Sequence, residues 1–199
     1  MSDSLGRPDS IGSAIPTLAP NGDFMTQSVE LLLDPVSDAE IRAQWDRLGD
    51  AGLPTARRTA PSPHHAPHLT LWAGDSVSAE TDAALPGLFH ALDLAVVIGS
   101  LMLFGPHRGA YVLVRQVPAS AALIDLQQQV AELCHAHPHG QFGDGRWSPH
   151  VTLARRLAAH QVGSALAALD GSPAELTATV RRARRWDGDQ KRAWWLSAS

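Results

Sequence analysis

A single cysteine, Cys134, occurs in the 199 residues, so no internal disulfide can form; a reducing compartment is the natural expectation. Long apolar runs are missing as well, none approaching the roughly 20 residues that a bilayer span requires. The opening stretch from Met1 to Asp23 is rich in Ser, Gly and Pro and lacks a basic start followed by an apolar core. It does not read as a secretory signal, so residues 1–24 are expected to form a flexible tail. Cytoplasmic residence, without membrane association, follows as an expectation. No Walker or Rossmann glycine spacing occurs, and Gly140 to Gly145 does not match a phosphate-binding loop preceding a helix. No nucleotide-triphosphate cofactor is implied, and no protein partner.

Hydrophobic residues make up 44% and charged residues 18%, the composition of a globular chain with a sizeable core. The net charge of −4 hides an asymmetry: from His150 onward eight Lys/Arg face four Asp/Glu, whereas the preceding segment carries eight against sixteen. A protein gripping many phosphates of a long duplex is usually basic overall. This balance suits a small anionic group or an RNA end near the C-terminal half. The plainer reading of Arg181, Arg182, Arg184 and Arg185 is a solvated strand edge.

Periodicity gives an order of elements. Gln27 to Leu33 alternates as a strand. Ser37 is expected to cap a helix with Glu40 completing a capping box, and Ile41, Trp45 and Leu48 supply its buried face, with Gly49 and Gly52 ending it. His68 to Trp72 is a short strand, followed by a helix within Ser78 to Leu92 perturbed by Pro86 and Gly87. Leu94 to Phe104 and Ala110 to Val117 read as a hairpin around Gly105 to Gly109. Ser120 caps a helix whose stripe is Leu123, Leu126, Val130 and Leu133, with Cys134 beside it as packing. A strand at His150 to Arg155, a helix around Gln161 to Leu169, and strands at Glu175 to Trp186 and Arg192 to Leu196 complete the chain. The expected class is α+β, not a doubly wound parallel sheet.

One internal repeat carries chemistry. Ala66-Pro-His-Leu-Thr-Leu-Trp-Ala73 aligns with Ser148-Pro-His-Val-Thr-Leu-Ala-Arg155, with Pro, His, Thr and Leu identical. A lone His-x-Thr is more often a strand histidine satisfied by a neighbour. Two copies, each opening a strand, suggest two related lobes. Alternation sends His68 and Thr70 to one face and the leucines at 69 and 71 to the other, and His150 and Thr152 behave alike. Facing strands of this kind bring two imidazoles and two hydroxyls together. One imidazole can stay neutral as base while the other stays protonated as acid, and hydroxyls can donate to phosphate oxygens.

The duplicated motif resembles that of the two-histidine (2H) phosphoesterase superfamily, and Pro149-His150-Val151-Thr152-Leu153-Ala154-Arg155 is similar to the second motif of its 2′-5′ RNA ligase-like and cyclic phosphodiesterase branch. The resemblance spans roughly Gln27 to Leu196. It implies a single bilobal domain over residues 25–199, with two pseudo-symmetric antiparallel sheets flanked by helices around a central cleft and one motif per lobe. It also implies hydrolysis, or reversible 2′-5′ ligation, of cyclic or 2′-5′ phosphodiesters in nucleotides or RNA ends, without metal or ATP. His68 and His150 would be the acid–base pair; the resemblance leaves open which is acid and which is base, and for hydrolysis we take His150 as base and His68 as acid. Thr70, Thr152 and Arg155 would bind phosphate. Strict alternation puts Arg155 on the face opposite His150, so a bulge is required for it to reach the cleft. The first motif departs from the family in its Trp72-Ala73-Gly74 tail.

Trp72, sharing the histidine face by parity, and Tyr111, Phe142 and Trp147 are candidates to stack a base, with core packing as the alternative for each. Of the adjacent Trp194 and Trp195, one must face outward on a strand. His64, His65 and His68, and the alternating His135, His137 and His139, invite a metal reading. Converging ligands of fixed geometry are needed for zinc, Pro138 interrupts the second group, and both groups sit at loops or helix ends, so no metal is expected. Two alternatives remain: a metal-dependent hydrolase using these His-rich loops, and a noncatalytic RNA- or nucleotide-binding member of the same fold, disfavoured by two intact histidines and threonines.

Overall fold

The computed structural model describes residues 26–57, 65–134, 142 and 145–197. The expected N-terminal tail, His64 and the histidines at 135, 137 and 139 lie outside them. The elements run β1 (Gln27–Leu32), α1 (Pro35–Asp50), β2 (His68–Gly74), α2 (Ala79–Ala84), β3 (Leu94–Ile98), β4 (Leu101–His107) and β5 (Ala110–Gln116). They continue with α3 (Ala121–Cys134), β6 (His150–Ala158), α4 (Val162–Ala168), β7 (Leu176–Val180), β8 (Arg182–Asp187) and β9 (Arg192–Trp195). Two antiparallel sheets result, one of seven strands ordered β4-β5-β6-β2-β1-β8-β9 and one of two, β3-β7. The fold is α+β.

The large sheet is two halves joined at one point. β6 belongs with β5 and β4, β2 belongs with β1, β8 and β9, and the halves meet through the single pair Leu69↔Val151. Helices line the face carrying those two residues. α1 follows β1 yet packs on β6, and α3 follows β5 yet packs on β2. Each half therefore lends its helix to the other half's motif strand. Val29, Leu31, Leu69, Leu71, Val151 and Leu153 from the sheet meet Ile41, Trp45, Leu48, Leu123 and Val130 in one core. Burial of this apolar area is the main term holding the halves together.

Local expectations failed in instructive places. The cap of α1 is Asp34, whose carboxylate accepts from Val36 N and Ser37 N, so Ser37 sits inside the helix. Pro35 at the first helical position starts the turn earlier than a Ser-x-x-Glu pattern indicates. Gly49 stays helical, and Gly52, with φ of 68°, follows the end. Ser120 does cap α3, its hydroxyl accepting from Leu123 N at 3.3 Å. The run Leu94 to Phe104 is two strands in different sheets, as is Glu175 to Trp186, because β3 and β7 pair with each other while β4 and β8 enter the large sheet.

The four arginines do not form one solvated edge. Arg181 and Arg182 are exposed, but Arg184 and Arg185 are 5% and 1% exposed. Arg185 donates from Nε to Asp82 Oδ1 at 2.9 Å and from Nη2 to Gln27 Oε1 at 2.6 Å, bolting α2 to the sheet. Among the described residues no helix is long and apolar enough to cross a membrane.

Candidate functional site

The pair Leu69↔Val151 fixes what lies beside it. Antiparallel counting sets His68 across from Thr152 and Thr70 across from His150, on the face away from the helices. In a regular ladder the diagonal His–His pair would be roughly 7–8 Å apart. The two strands bring together all four motif side chains, and each of the four is partly exposed.

Both imidazoles are oriented by the same device. His68 Nδ1–H donates to the Ala66 carbonyl at 2.8 Å, and His150 Nδ1–H donates to the Ser148 carbonyl at 2.7 Å. A carbonyl only accepts, so Nδ1 must carry hydrogen and Nε2 is the basic nitrogen in each neutral ring. The intervening Pro67 and Pro149 fix φ and so help aim the preceding carbonyl back at the ring.

The strands are also irregular in the same place. β1 pairs Val29 with Trp72 but Glu30 with Thr70, leaving Leu71 as an extra residue in β2. β5 pairs Leu113 with Ala154 but Val114 with Thr152, leaving Leu153 extra in β6. An inserted residue reverses the faces beyond it. Two sequence readings change accordingly. Arg155 comes onto the histidine face, and its positive charge acts on both His68 and His150. Trp72, expected on that face, turns to the core and is 0% exposed.

Two further indoles guard the point where β2 and β6 part. Trp45 Nε1–H donates to the Thr152 carbonyl at 2.9 Å, and Trp147 Nε1–H donates to the Thr70 carbonyl at 3.0 Å. Trp147 thus borders the site through the backbone of Thr70. Tyr111 is partly buried against the core, Phe142 is buried, and Phe104 of β4 meets the His150 ring edge-on with centroids 4.9 Å apart. Cys134 is buried, and burial pushes its thiol up to about 12, which removes it as a nucleophile.

Glu30 is the site neighbour that sequence reasoning missed. It is 5% exposed, and its Oε1 lies 3.7 Å from His68 Nε2. Ser28 Oγ donates to Oε1 at 2.7 Å, while Arg184 donates from Nε and Nη2 to Oε2, each at 2.7 Å. The available signal was a lone charge inside an otherwise apolar run, Val29-Glu30-Leu31-Leu32. Burial pushes its carboxyl upward, but the His68 and Arg184 charges outweigh that and hold it below the usual carboxylate range.

Both histidines sit below their ordinary value. Burial lowers His150 to about 4, with the Arg155 and His68 charges adding to it and the Ser148 carbonyl opposing. Burial also lowers His68, opposed by Glu30, with Arg184 and Arg155 acting downward. An anionic phosphate between the rings would favour their charged forms. His65 belongs elsewhere: its Nε2–H donates to the Ala56 carbonyl at 2.7 Å and its ring stacks on Trp45 at 5.1 Å. Among the described residues no three His, Cys, Asp or Glu side chains are grouped to hold a metal ion.

This geometry defines a class: an α+β protein whose two related strands present paired His-x-Thr motifs on one sheet face. The family model of the 2′-5′ RNA ligase superfamily matches residues 37–192, and the chain belongs to that superfamily. Its chemistry is accordingly that of phosphodiester bonds. Among solved structures, Usb1 of Kluyveromyces marxianus is similar at 11% identity and TM-score 0.53, over 87% of this chain and 98% of that one. LigT of E. coli complexed with 3′-AMP is similar at 19% identity and TM-score 0.49, over 86% and 94%. No curated protein matches the chain.

Proposed function

We propose that the protein hydrolyses 2′,3′-cyclic phosphodiesters at nucleotide or RNA ends, with His68 and His150 as an acid–base pair that needs no metal. The observation that carries this reading is the shared face: two imidazoles with Nδ1 tied to their own backbone and Nε2 left for proton transfer, flanked by two threonine hydroxyls. Water attacks phosphorus as His150 Nε2 takes its proton. The bond from phosphorus to one ribose oxygen breaks as protonated His68 Nε2 delivers a proton to that oxygen. Thr70, Thr152 and Arg155 hold the remaining oxygens. With a hydroxyl of a second nucleotide in place of water, the same two proton transfers join the cyclic end to it.

An RNA end suits the site better than a lone mononucleotide. Trp195 is 48% exposed, and the Arg182 guanidinium lies 3.7 Å from its ring centroid. β9 is three strand spacings from β2, about 14 Å. A second or third nucleotide could reach that platform.

The test is turnover of 2′,3′-cyclic AMP and of a short RNA bearing a cyclic end, in excess EDTA. Hydrolysis lost in His68→Ala and in His150→Ala supports the reading. Activity abolished by EDTA and restored by zinc, or persisting in the double variant, contradicts it.

A further inference from the structure

The two lobes repeat the catalytic strand, the proline, the bulge and the indole clamp, but one position breaks the symmetry. Thr70 is paired across the ladder with Glu30 on β1, whereas Thr152 is paired with Val114 on β5. One lobe therefore holds a carboxylate where the other holds an isopropyl group. We infer that Glu30 is a positioning residue that assigns the roles within the pair, keeping the transferable proton on His68 and so making that ring the acid and His150 the base. This rests on the phosphodiesterase reading above.

The placement is built, not incidental. A buried carboxylate is costly unless it is paired and hydrogen-bonded. Arg184 and Ser28 meet both conditions and leave Oε1 facing His68 Nε2 at 3.7 Å. Protonated His68 thus gains an anion at close range, and neutral His68 gains nothing from it. Among the described residues, the main charge effects on His68 come from Glu30 on β1, Arg184 on β8 and Arg155 on β6, and of these three Glu30 is the anion. Among the described residues, the charge effects on His150 come from Arg155 and His68, both cationic when protonated. Burial first, and these like charges in addition, favour its neutral, proton-accepting form.

The experiment is to follow both rings by NMR through a pH titration of the intact protein, then repeat it with Glu30→Gln beside a pH profile of kcat/KM. In the unaltered protein His68 should titrate above His150. In Glu30→Gln the His68 midpoint should drop by roughly one unit or more, and that of His150 by less. The alkaline limb of the profile should move down with it while the acidic limb stays. His150 titrating above His68, an acidic limb that moves instead, or a His68 midpoint indifferent to the substitution would overturn the assignment. If Glu30→Gln does not fold, the order of midpoints in the unaltered protein still decides. These midpoints are read without substrate, so a wrong assignment is separable from a wrong substrate class, which shows as absence of turnover.

Discussion

A carbonyl two residues upstream and a proline between are what turn each histidine into a directed Nε2. That economy has a cost visible in pH. His150 is held near 4 in the fold, first by burial and then by Arg155 and His68, while in the unfolded chain it titrates near 6.5. Between those values the unfolded state binds more protons, so the stability linked to His150 is intact above about 6.5 and is lost as pH falls toward 4. Thermal unfolding measured across that window should show a falling Tm in the unaltered protein and a shallower fall in His150→Asn. An equal fall in both would remove His150 as a source. The threonines make a second residue-scale prediction. Each hydroxyl donating to a charged oxygen is worth about 1.5–3 kcal/mol, so Thr70→Val and Thr152→Val should each reduce kcat/KM by about 10- to 100-fold with Tm little changed. Unaltered kcat/KM would exclude them from phosphate binding.

Among the elements, the motif strands were legible and their irregularities were not. His-x-Thr with alternating leucines announces a strand and its faces. The extra Leu71 and Leu153 are invisible because a bulged leucine looks like any other leucine in the pattern. The consequence fell on residues just beyond: Trp72 went inward and Arg155 came outward, the reverse of strict alternation. The Glu30–Arg184 pairing was hidden for a different reason, since its partners lie at opposite ends of the chain and meet only because β1 and β8 are neighbours. The indole clamps belong to this scale too. Trp45→Phe and Trp147→Phe each leave a threonine carbonyl without its indole donor, costing about 1 kcal/mol. Both variants should unfold at a lower denaturant concentration with unchanged m-value. No change in midpoint for either would show that the carbonyl finds another donor.

At the scale of the whole molecule, duplication was readable from eight-residue windows, and it implied two related halves. What it could not show is that the halves share one large sheet through a single residue pair, with each half's helix packed under the other's strand. That exchange makes the site a property of both halves at once, since neither half holds a pair of imidazoles alone. The same sheet carries Arg182 on β8 and Trp195 on β9. Trp195→Ala should raise KM roughly tenfold for an RNA end of several nucleotides and leave a cyclic mononucleotide unaffected. Equal effects on both substrates would detach Trp195 from RNA binding.

All of this depends on two rings serving one phosphorus. The most direct measurement is a crystal structure of the protein with a nucleoside 2′- or 3′-monophosphate bound. Both Nε2 atoms, of His68 and of His150, should lie within about 3.5 Å of oxygens on the same phosphate, with at least one threonine hydroxyl on a third oxygen. A phosphate touching only one ring, or seated away from both, would contradict the account.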